Sequence, residues 1–368
     1  MKTSNYRMMM IIDVHRRLWI PIICMMIVLF HAGSSGVVAA PMVPAMFVFG
    51  DSLVDSGNNN YLSSMAKANY MPYGIDFTGW PTGRFTNGRT IADFLGEKLG
   101  LPYIPPYSDP NTIGTRMVDG VNYASAAAGI LDETGQNYGQ RFSLSQQVLN
   151  FQNTVYQLRY QMGGNITQHL AKSIAFLVFG SNDYINNYLI YRPSYTPDDF
   201  ANLLINHYTR QLLALHSMGL RKFLVAGVGP LGCIPSQRAT APPGSCVNSV
   251  NQMLGTLNVG LRKLVAQLNS DHPGAMFVYG NTYGGMGDIL NNPGAYGFSI
   301  TDRGCCGLRS QGDITCLPYS VPCPNRSQYV FWDAFHPTQS VNAVLAQRAF
   351  VGPPNDIYPM NVQQLAQF

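Results

Sequence analysis

Charge is scarce in this chain. Only 11% of its 368 residues are Asp, Glu, Lys or Arg, against about 25% in an average globular protein. The polar surface must therefore rest on Asn, Gln, Ser, Thr and Tyr rather than on ion pairs. No basic run occurs after the first twenty residues, so the clustered Lys and Arg that a nucleic-acid binder needs to neutralise phosphates are missing. Long apolar runs are missing too: beyond the first forty residues no uncharged apolar stretch approaches the roughly 20 residues of a membrane-spanning helix. There is no C-x-x-C pair, no internal repeat and no low-complexity linker. What remains is a chain that is 46% apolar, enough to bury a sizeable core.

The first forty residues differ from the rest. Lys2, Arg7, Arg16 and Arg17 against Asp13 account for +3 of the net charge of +4. They precede an apolar run over residues 18–30, interrupted by Pro21, and then small residues ending in Val38-Ala39-Ala40. A basic head, a short apolar stretch and a small-residue cleavage site make a secretory signal peptide. A membrane anchor is the rival reading, and thirteen residues are too few for it. Residues 1–40 are thus expected to be a removable leader, cleaved near Ala40, and residues 41–368 a single domain.

Secretion changes what the cysteines mean. Cys24 leaves with the leader, and Cys233, Cys246, Cys305, Cys306, Cys316 and Cys323 remain. An even number in an oxidising route favours disulfides over a zinc site, though the sequence does not choose their pairing. Asn165-Ile166-Thr167 and Asn325-Arg326-Ser327 fit the same compartment as N-glycosylation sites.

Short apolar runs recur at 46–49, 174–179, 223–228, 276–279 and, more weakly, 329–332. They are continuous rather than alternating, the pattern of strands buried on both faces of a parallel sheet. Helical periodicity lies between them. Leu144, Val148, Phe151, Val155 and Leu158 form one stripe, and Val250, Leu254, Leu257, Leu261, Leu264 and Leu268 form another. A third helix opens with Thr196 as N-cap and Pro197 in the first turn and closes at Gly219. A last one follows Pro337, with Val341, Val344 and Leu345 on one face. Alternating strands and helices predict a doubly wound α/β sheet, whose ligands sit beyond the carboxyl ends of the strands.

Three of those strand ends carry side chains suited to acyl transfer, and a further short strand expected before Gly129 adds a fourth position. Ser52, in Gly50-Asp51-Ser52-Leu53, follows the first strand directly and is placed to be a nucleophile; the same tetrapeptide is also an ordinary turn. Of the histidines outside the leader, His207 and His216 fall inside a helix, His272 in an Asp-His-Pro turn and His169 near a sequon. His336 follows the last strand, with Asp333 three residues before it. On one helical turn those two share a face, so the carboxylate can hold the imidazole while its other nitrogen reaches Ser52; a capping Asp beside an incidental His is the rival. Asn182 closes the strand at 174–179, and its amide can donate to a developing oxyanion. Gly129 ends the Asn122-Tyr123-Ala124-Ser125-Ala126-Ala127-Ala128-Gly129 stretch and permits a backbone N–H to approach closely. Taken singly, each of these two is also an ordinary turn residue.

The run Phe47-Val48-Phe49-Gly50-Asp51-Ser52-Leu53-Val54-Asp55-Ser56-Gly57-Asn58-Asn59-Asn60-Tyr61-Leu62 resembles the first block of the plant GDSL esterase/lipase family, within the SGNH hydrolases. The later signatures resemble that family as well, in order along the chain: Pro81-Thr82-Gly83-Arg84-Phe85-Thr86-Asn87-Gly88-Arg89-Thr90, the stretch 122–129, Gly180-Ser181-Asn182-Asp183, Gly229-Pro230-Leu231-Gly232-Cys233 and 333–336. The resemblance implies a flavodoxin-like three-layer α/β/α sandwich around a central, mainly parallel five-stranded sheet. It implies Ser52 as nucleophile, His336 as base and Asp333 as its orienting acid, with the N–H groups of Ser52 and Gly129 and the Asn182 amide as oxyanion hole. One departure is Ala126-Ala127, where many members have glycines; Gly129 itself is present.

The implied reaction is hydrolysis of a carboxylic ester through an acyl-enzyme, with no metal or organic cofactor. The expected partner is a small-molecule or lipid ester, with no nucleic acid and no integral membrane segment once the leader is removed. The expected location is extracellular, in apoplast or cell wall, with the vacuole as alternative. An acyltransferase with the same triad, or a secreted binding protein that has kept the fold without turnover, are the rival functions. The ester itself depends on loops such as 304–324 that no sequence rule reads.

Overall fold

Four short apolar runs form the parallel core of the molecule: β1 (Met46–Gly50), β2 (Ile174–Val178), β3 (Lys222–Ala226) and β4 (Met276–Gly280). They pair side by side in that order and run parallel, with Gly50, Val178, Ala226 and Gly280 in one transverse row. The computed structural model describes residues 40–79, 81–191, 194–307 and 316–368. The expected leader, Ala40 apart, lies outside the described residues, and Pro41–Phe368 make one compact unit.

Successive strand residues point to opposite faces, and the two faces have different fillings. Phe47, Phe49, Leu177, Phe179, Phe223 and Phe277 join one core cluster. The helices α2 (Leu144–Met162), α3 (Pro197–Ser217) and α4 (Asn248–Asp271) add their buried stripes to it. In α4 that stripe uses Val265, with Leu264 only partly buried against it. Met46, Val48, Phe176, Val178, Leu224 and Val278 enter a second cluster with residues of α1 (Ile91–Leu99) and α6 (Gln339–Val351). Helix α5 (Thr282–Asn291) follows β4 directly. Thr196 caps α3, its hydroxyl accepting from Asp199 N–H, and Pro197 occupies the first turn. Thr90 and Asp93 form a reciprocal capping box at the start of α1.

The expected fifth strand is corrected. Residues 329–332 do not enter the central sheet. Tyr329–Phe331 instead becomes β6, paired in parallel with β5 (Ile300–Gly304) in a separate two-stranded sheet. The fifth place belongs to β7 (Ile357–Tyr358), antiparallel to β4; two residues are too short to show any periodicity. The short strand expected before Gly129 is reduced to isolated bridging at Asn122 along the free edge of β1, where Tyr123 N–H donates to Val48 O at 2.7 Å.

Candidate active site

The carboxyl end of β1 is fixed from two directions. Gln147 of α2 accepts from Gly50 N–H at 2.9 Å and donates back to Gly50 O at 2.8 Å. A Cβ on Gly50 would lie 2.4 Å from Val54 Cγ2 and 2.9 Å from Val178 O, so only glycine lets the chain turn there. Asp51 and Ser52 follow. The next loop is stitched to the segment beside it through buried polar groups. Asp55 accepts from the N–H groups of Gly57, Asn58 and Ala126. The Asn58 amide donates to Asn122 O and Ala124 O, both at 2.8 Å.

Asp333 and His336 come from the other sheet. The expected helical turn is not what joins them: the chain bends after β6, and Asp333 Oδ1 accepts from the N–H groups of Phe335 and His336, each at 2.8 Å. That local turn is the kind Asp makes with its own following backbone. It brings His336 Nδ1 to 2.9 Å and 2.8 Å from the two carboxylate oxygens. His336 Nε2 then stands 2.7 Å from Ser52 Oγ. With Nδ1–H donated to the carboxylate, Nε2 is left as acceptor of the Ser52 hydroxyl, a tautomer that follows from the partners. Tyr73, which the sequence did not single out, donates its hydroxyl to Asp333 Oδ2 at 2.7 Å.

Three disulfides are formed: Cys233–Cys246, Cys305–Cys323 and Cys306–Cys316. The last two staple the segment beside β6, where Cys305 N–H donates to Phe331 O and Cys306 N–H to Trp332 O. The carboxylates on the two sides are electrostatically opposite. Burial pushes Asp51 up to about 7, against one N–H bond from Leu53. Its Oδ2 has no hydrogen-bond partner among the described residues. Burial also opposes the charge on Asp333, but the His336 imidazole, the Phe335 N–H and the Tyr73 hydroxyl outweigh it and hold that carboxyl below its usual value.

Asn182 lies at the same edge, after Gly180 at φ +113 has turned the chain from β2 into the short helical segment Ser181–Asp183. Its amide nitrogen donates to Ala128 O at 2.9 Å and its oxygen accepts from Asn186 at 2.6 Å. Those two bonds fix the amide's orientation and leave one N–H for a ligand.

Gly129 is not placed with these groups. It does not line the cavity above Ser52; a Cβ on it would meet Thr134 Cγ2 at 2.4 Å and Asp183 Oδ1 at 2.5 Å, so close packing accounts for its glycine. Ala126 and Ala127 of the same stretch do reach the cavity. Ala126 N–H is taken by Asp55 and Asn59. Ala127 sits at φ +66, a conformation uncommon for a residue with a Cβ, and its N–H has no partner among the described residues. The departure from glycine at this pair was the visible signal.

Ser52, His336, Asp333, Asn182 and Ala127 border one cavity of about 430 Å³. Its walls are mostly apolar, with Phe85, Phe176, Ile185, Met286 and Leu345 among them, and its size is that of a small-molecule site. His169, His207, His216 and His272 do not line it. Asn165 and Asn325 are both exposed. Among the described residues no cluster of metal-ligating side chains occurs, and no helix is long and apolar enough to cross a membrane.

A family model described as GDSL-like Lipase/Acylhydrolase matches residues 46–349. The Arabidopsis thaliana protein GDSL esterase/lipase At1g71250 is 63% identical over 332 residues, covering 88% of this chain and 89% of its own length. GDSL esterase/lipase 7 of the same plant is 49% identical over 339 residues, covering 89% and 93%. Among solved structures, the carbohydrate acetylesterase Est24 from Sinorhizobium meliloti aligns over 82% of this chain and 94% of its own, with 13% identity and a TM-score of 0.37.

Proposed function

The chain belongs to the GDSL-like lipase/acylhydrolase family and is a carboxylic ester hydrolase; we propose that it works through an acyl-enzyme on Ser52, with His336 as base and Asp333 as the acid that orients it. The observation that carries this reading is the continuous relay from Ser52 Oγ to His336 Nε2 at 2.7 Å and from His336 Nδ1 to Asp333 at 2.8 Å.

On attack, the Ser52 proton passes to His336 Nε2 while Oγ bonds to the ester carbonyl carbon, whose oxygen takes up the negative charge. Asp333 stays ionised and stabilises the imidazolium. Donors for the oxyanion are the N–H of Ser52, the free N–H of Asn182 and, in place of Gly129, the unpaired N–H of Ala127. Collapse breaks the bond to the alcohol oxygen, which leaves with the proton from His336. Water, deprotonated by the same imidazole, then releases the acid and restores Ser52.

We further assign residues 1–40 as a secretory leader and Asn165 and Asn325 as glycan acceptors, which places the mature enzyme outside the cell; the three disulfides suit that compartment. A fluorophosphonate probe tests the core of the reading. It should label the purified protein once, on the tryptic peptide holding Ser52, and block hydrolysis of p-nitrophenyl esters in proportion. Label on a different serine, or unimpaired hydrolysis after complete labelling, overturns it.

A further inference from the structure

The cavity above Ser52 does not end at the reacting atoms. It continues along the α1–α6 face of the central sheet, where Phe176, Ala226 and Leu345 line it. A second void of about 40 Å³ lies beyond and shares Ile91, Phe176, Ala226, Thr282 and Leu345 with it; its far wall is Gly280, Gly285 and the Arg348–Asp356 ion pair.

The strand register explains this space. Residues on one face of a sheet recur at every second position. One row on this face is Val48, Phe176, Leu224 and Val278, all large. The next row, at the carboxyl edge, is Gly50, Val178, Ala226 and Gly280. Each parallel strand gives way to a smaller side chain, or to none, at its last position. Residues of α1, α6 and the C-terminal helix Val362–Gln367 share a buried cluster with the first row, Val54 fills the space over Gly50, and an apolar trough is left over Ala226 and Gly280. It begins beside Ser52 and runs across the sheet toward Gly280.

We propose that this trough holds the acyl chain of the substrate, so that the enzyme selects esters of medium and long-chain acids over acetates, with Ala226 and Gly280 setting the accepted length. The proposal rests on the acyl-enzyme reading above. The chemistry of that reading decides which half of the ester goes where. The alcohol must leave while the acyl group remains bonded to Ser52. The open end of the cavity, where Met65 is three-quarters exposed, suits the departing alcohol. The trough is walled by the buried side chains of Phe176, Val178 and Ala226 and suits the part that stays. Its apolar walls at Phe176, Ala226 and Leu345 offer an alkyl chain burial from water, which favours each added methylene.

Filling the trough tests this. A Cβ on Gly280 would meet Leu224 Cδ1 at 3.8 Å and Ala226 Cα and Val225 O at 3.9 Å, all ordinary contact, so Gly280→Val places its Cβ at the deep end without a clash. Ala226→Leu blocks the trough nearer Ser52. The readout is the ratio of kcat/KM for p-nitrophenyl palmitate, octanoate and acetate in the intact secreted protein, with Tm measured in parallel. The wild type should favour octanoate and palmitate over acetate. Gly280→Val should lower the palmitate-to-octanoate ratio at least about tenfold, and Ala226→Leu the octanoate-to-acetate ratio by a similar factor, as expected when a hydrophobic pocket loses room for part of its ligand. A wild type that prefers acetate, or variants that keep both ratios within about twofold at unchanged Tm, overturns the assignment of the trough. Should Ala226→Leu fail to fold, Gly280→Val and the wild-type profile still decide. Absence of hydrolysis at every chain length would instead strike at the acyl-enzyme reading itself.

Discussion

The proposed nucleophile and base of this enzyme stand on different supports. Ser52 and Asn182 extend from strands of the central parallel sheet, whose ends are tied by Gln147, Asp55 and a mesh of asparagine side chains. Asp333 and His336 extend from a two-stranded ribbon outside that sheet, held by two disulfides and by the bend that Asp333 folds around its own carboxylate. The first support is made by the regular order of the fold. The second is made by covalent staples and local hydrogen bonds. The reaction requires that the two meet to within a hydrogen bond. A small loosening of the ribbon should therefore cost activity before it costs the fold.

The largest expected effect comes from removing the reacting atom and leaving both supports in place. Ser52→Ala should lower kcat by about 10⁶-fold, as loss of the nucleophile does in a triad that works as a unit, with Tm unchanged by calorimetry. Residual activity within tenfold of wild type would mean that the sheet edge does not carry the nucleophile. Next comes the proposed oxyanion donor on the same support. Asn182→Ala should lower kcat by roughly 10²–10³ with little change in KM. Asn182→Asp should fare no better, because its oxygens would face Ala128 O and the developing oxyanion with no proton to give. A kcat near normal in the Asp variant would reduce Asn182 to a turn residue.

The third effect separates the supports directly. Cys305 and Cys323 are 18 residues apart, and for a loop of that size a disulfide contributes about 3 kcal/mol. The double variant Cys305→Ser/Cys323→Ser should lose hydrolysis on heating well before the far-UV circular dichroism of the main sheet changes. Loss of both signals in a single transition would show that ribbon and sheet form one cooperative unit, and the comparison would fail.

A fourth effect uses the opposite electrostatics of the two sides. Asp51 binds its proton more tightly folded than unfolded, so its contribution to stability is fully present below about pH 4 and is lost as the pH rises through about 7. Asp333 behaves in the opposite sense: its contribution is present above about pH 4 and is lost as the pH falls below that. Wild-type Tm should therefore decline from mildly acidic toward neutral pH, by no more than about 1.4 kcal/mol of stability per pH unit for this one proton. Burial also pushes Asp55 and Asp183 up to about 6, so Asp51→Asn should make that decline shallower, most of all near pH 7, and leave the acid limb in place. An unchanged slope in the variant would show that Asp51 is already ionised in the folded enzyme at mildly acidic pH.

The same division governs what could be read from the sequence. Continuous apolar runs and helical stripes are repeated, redundant signals, and they located all four parallel strands and the four helices expected. Ser52 and Asn182 were legible because each ends such a run. The ribbon carries no comparable signal: 329–332 reads as one more buried strand, and nothing local says that it pairs with 300–304 instead of with the sheet. Asp333 and His336 were found by their spacing, but a bend joins them rather than a helical turn. Gly129 was chosen because glycine permits close backbone approach; the approach is real, yet it is made by Thr134 and Asp183. The disulfide pairing, the conformation of Ala127 and the reach of Tyr73 to Asp333 depend on distances across the fold, which no periodicity records.

Tyr73 gives the smallest effect and the finest test of the ribbon. Its hydroxyl donates to Asp333 Oδ2 at 2.7 Å, while its ring packs edge-on against Phe85 and Trp332. Tyr73→Phe keeps the ring and removes only the donor. Asp333 still accepts from two backbone N–H groups and from His336, so its orientation should survive. What it loses is one hydrogen bond to a buried charge, worth about 1.5–3 kcal/mol where the charge is fully formed. Part of that loss is recovered by the remaining donors, which leaves a fall in kcat/KM of about tenfold, or roughly 1.4 kcal/mol. Because the hydroxyl is one of the groups that hold the Asp333 carboxyl low, its removal should also move the acid-side loss of activity to higher pH. A purely structural tyrosine predicts something else: a lower Tm and an unshifted acid limb. A variant with that signature would mean that the backbone bend alone sets the charge on Asp333, and that the ribbon is more self-sufficient than its staples suggest.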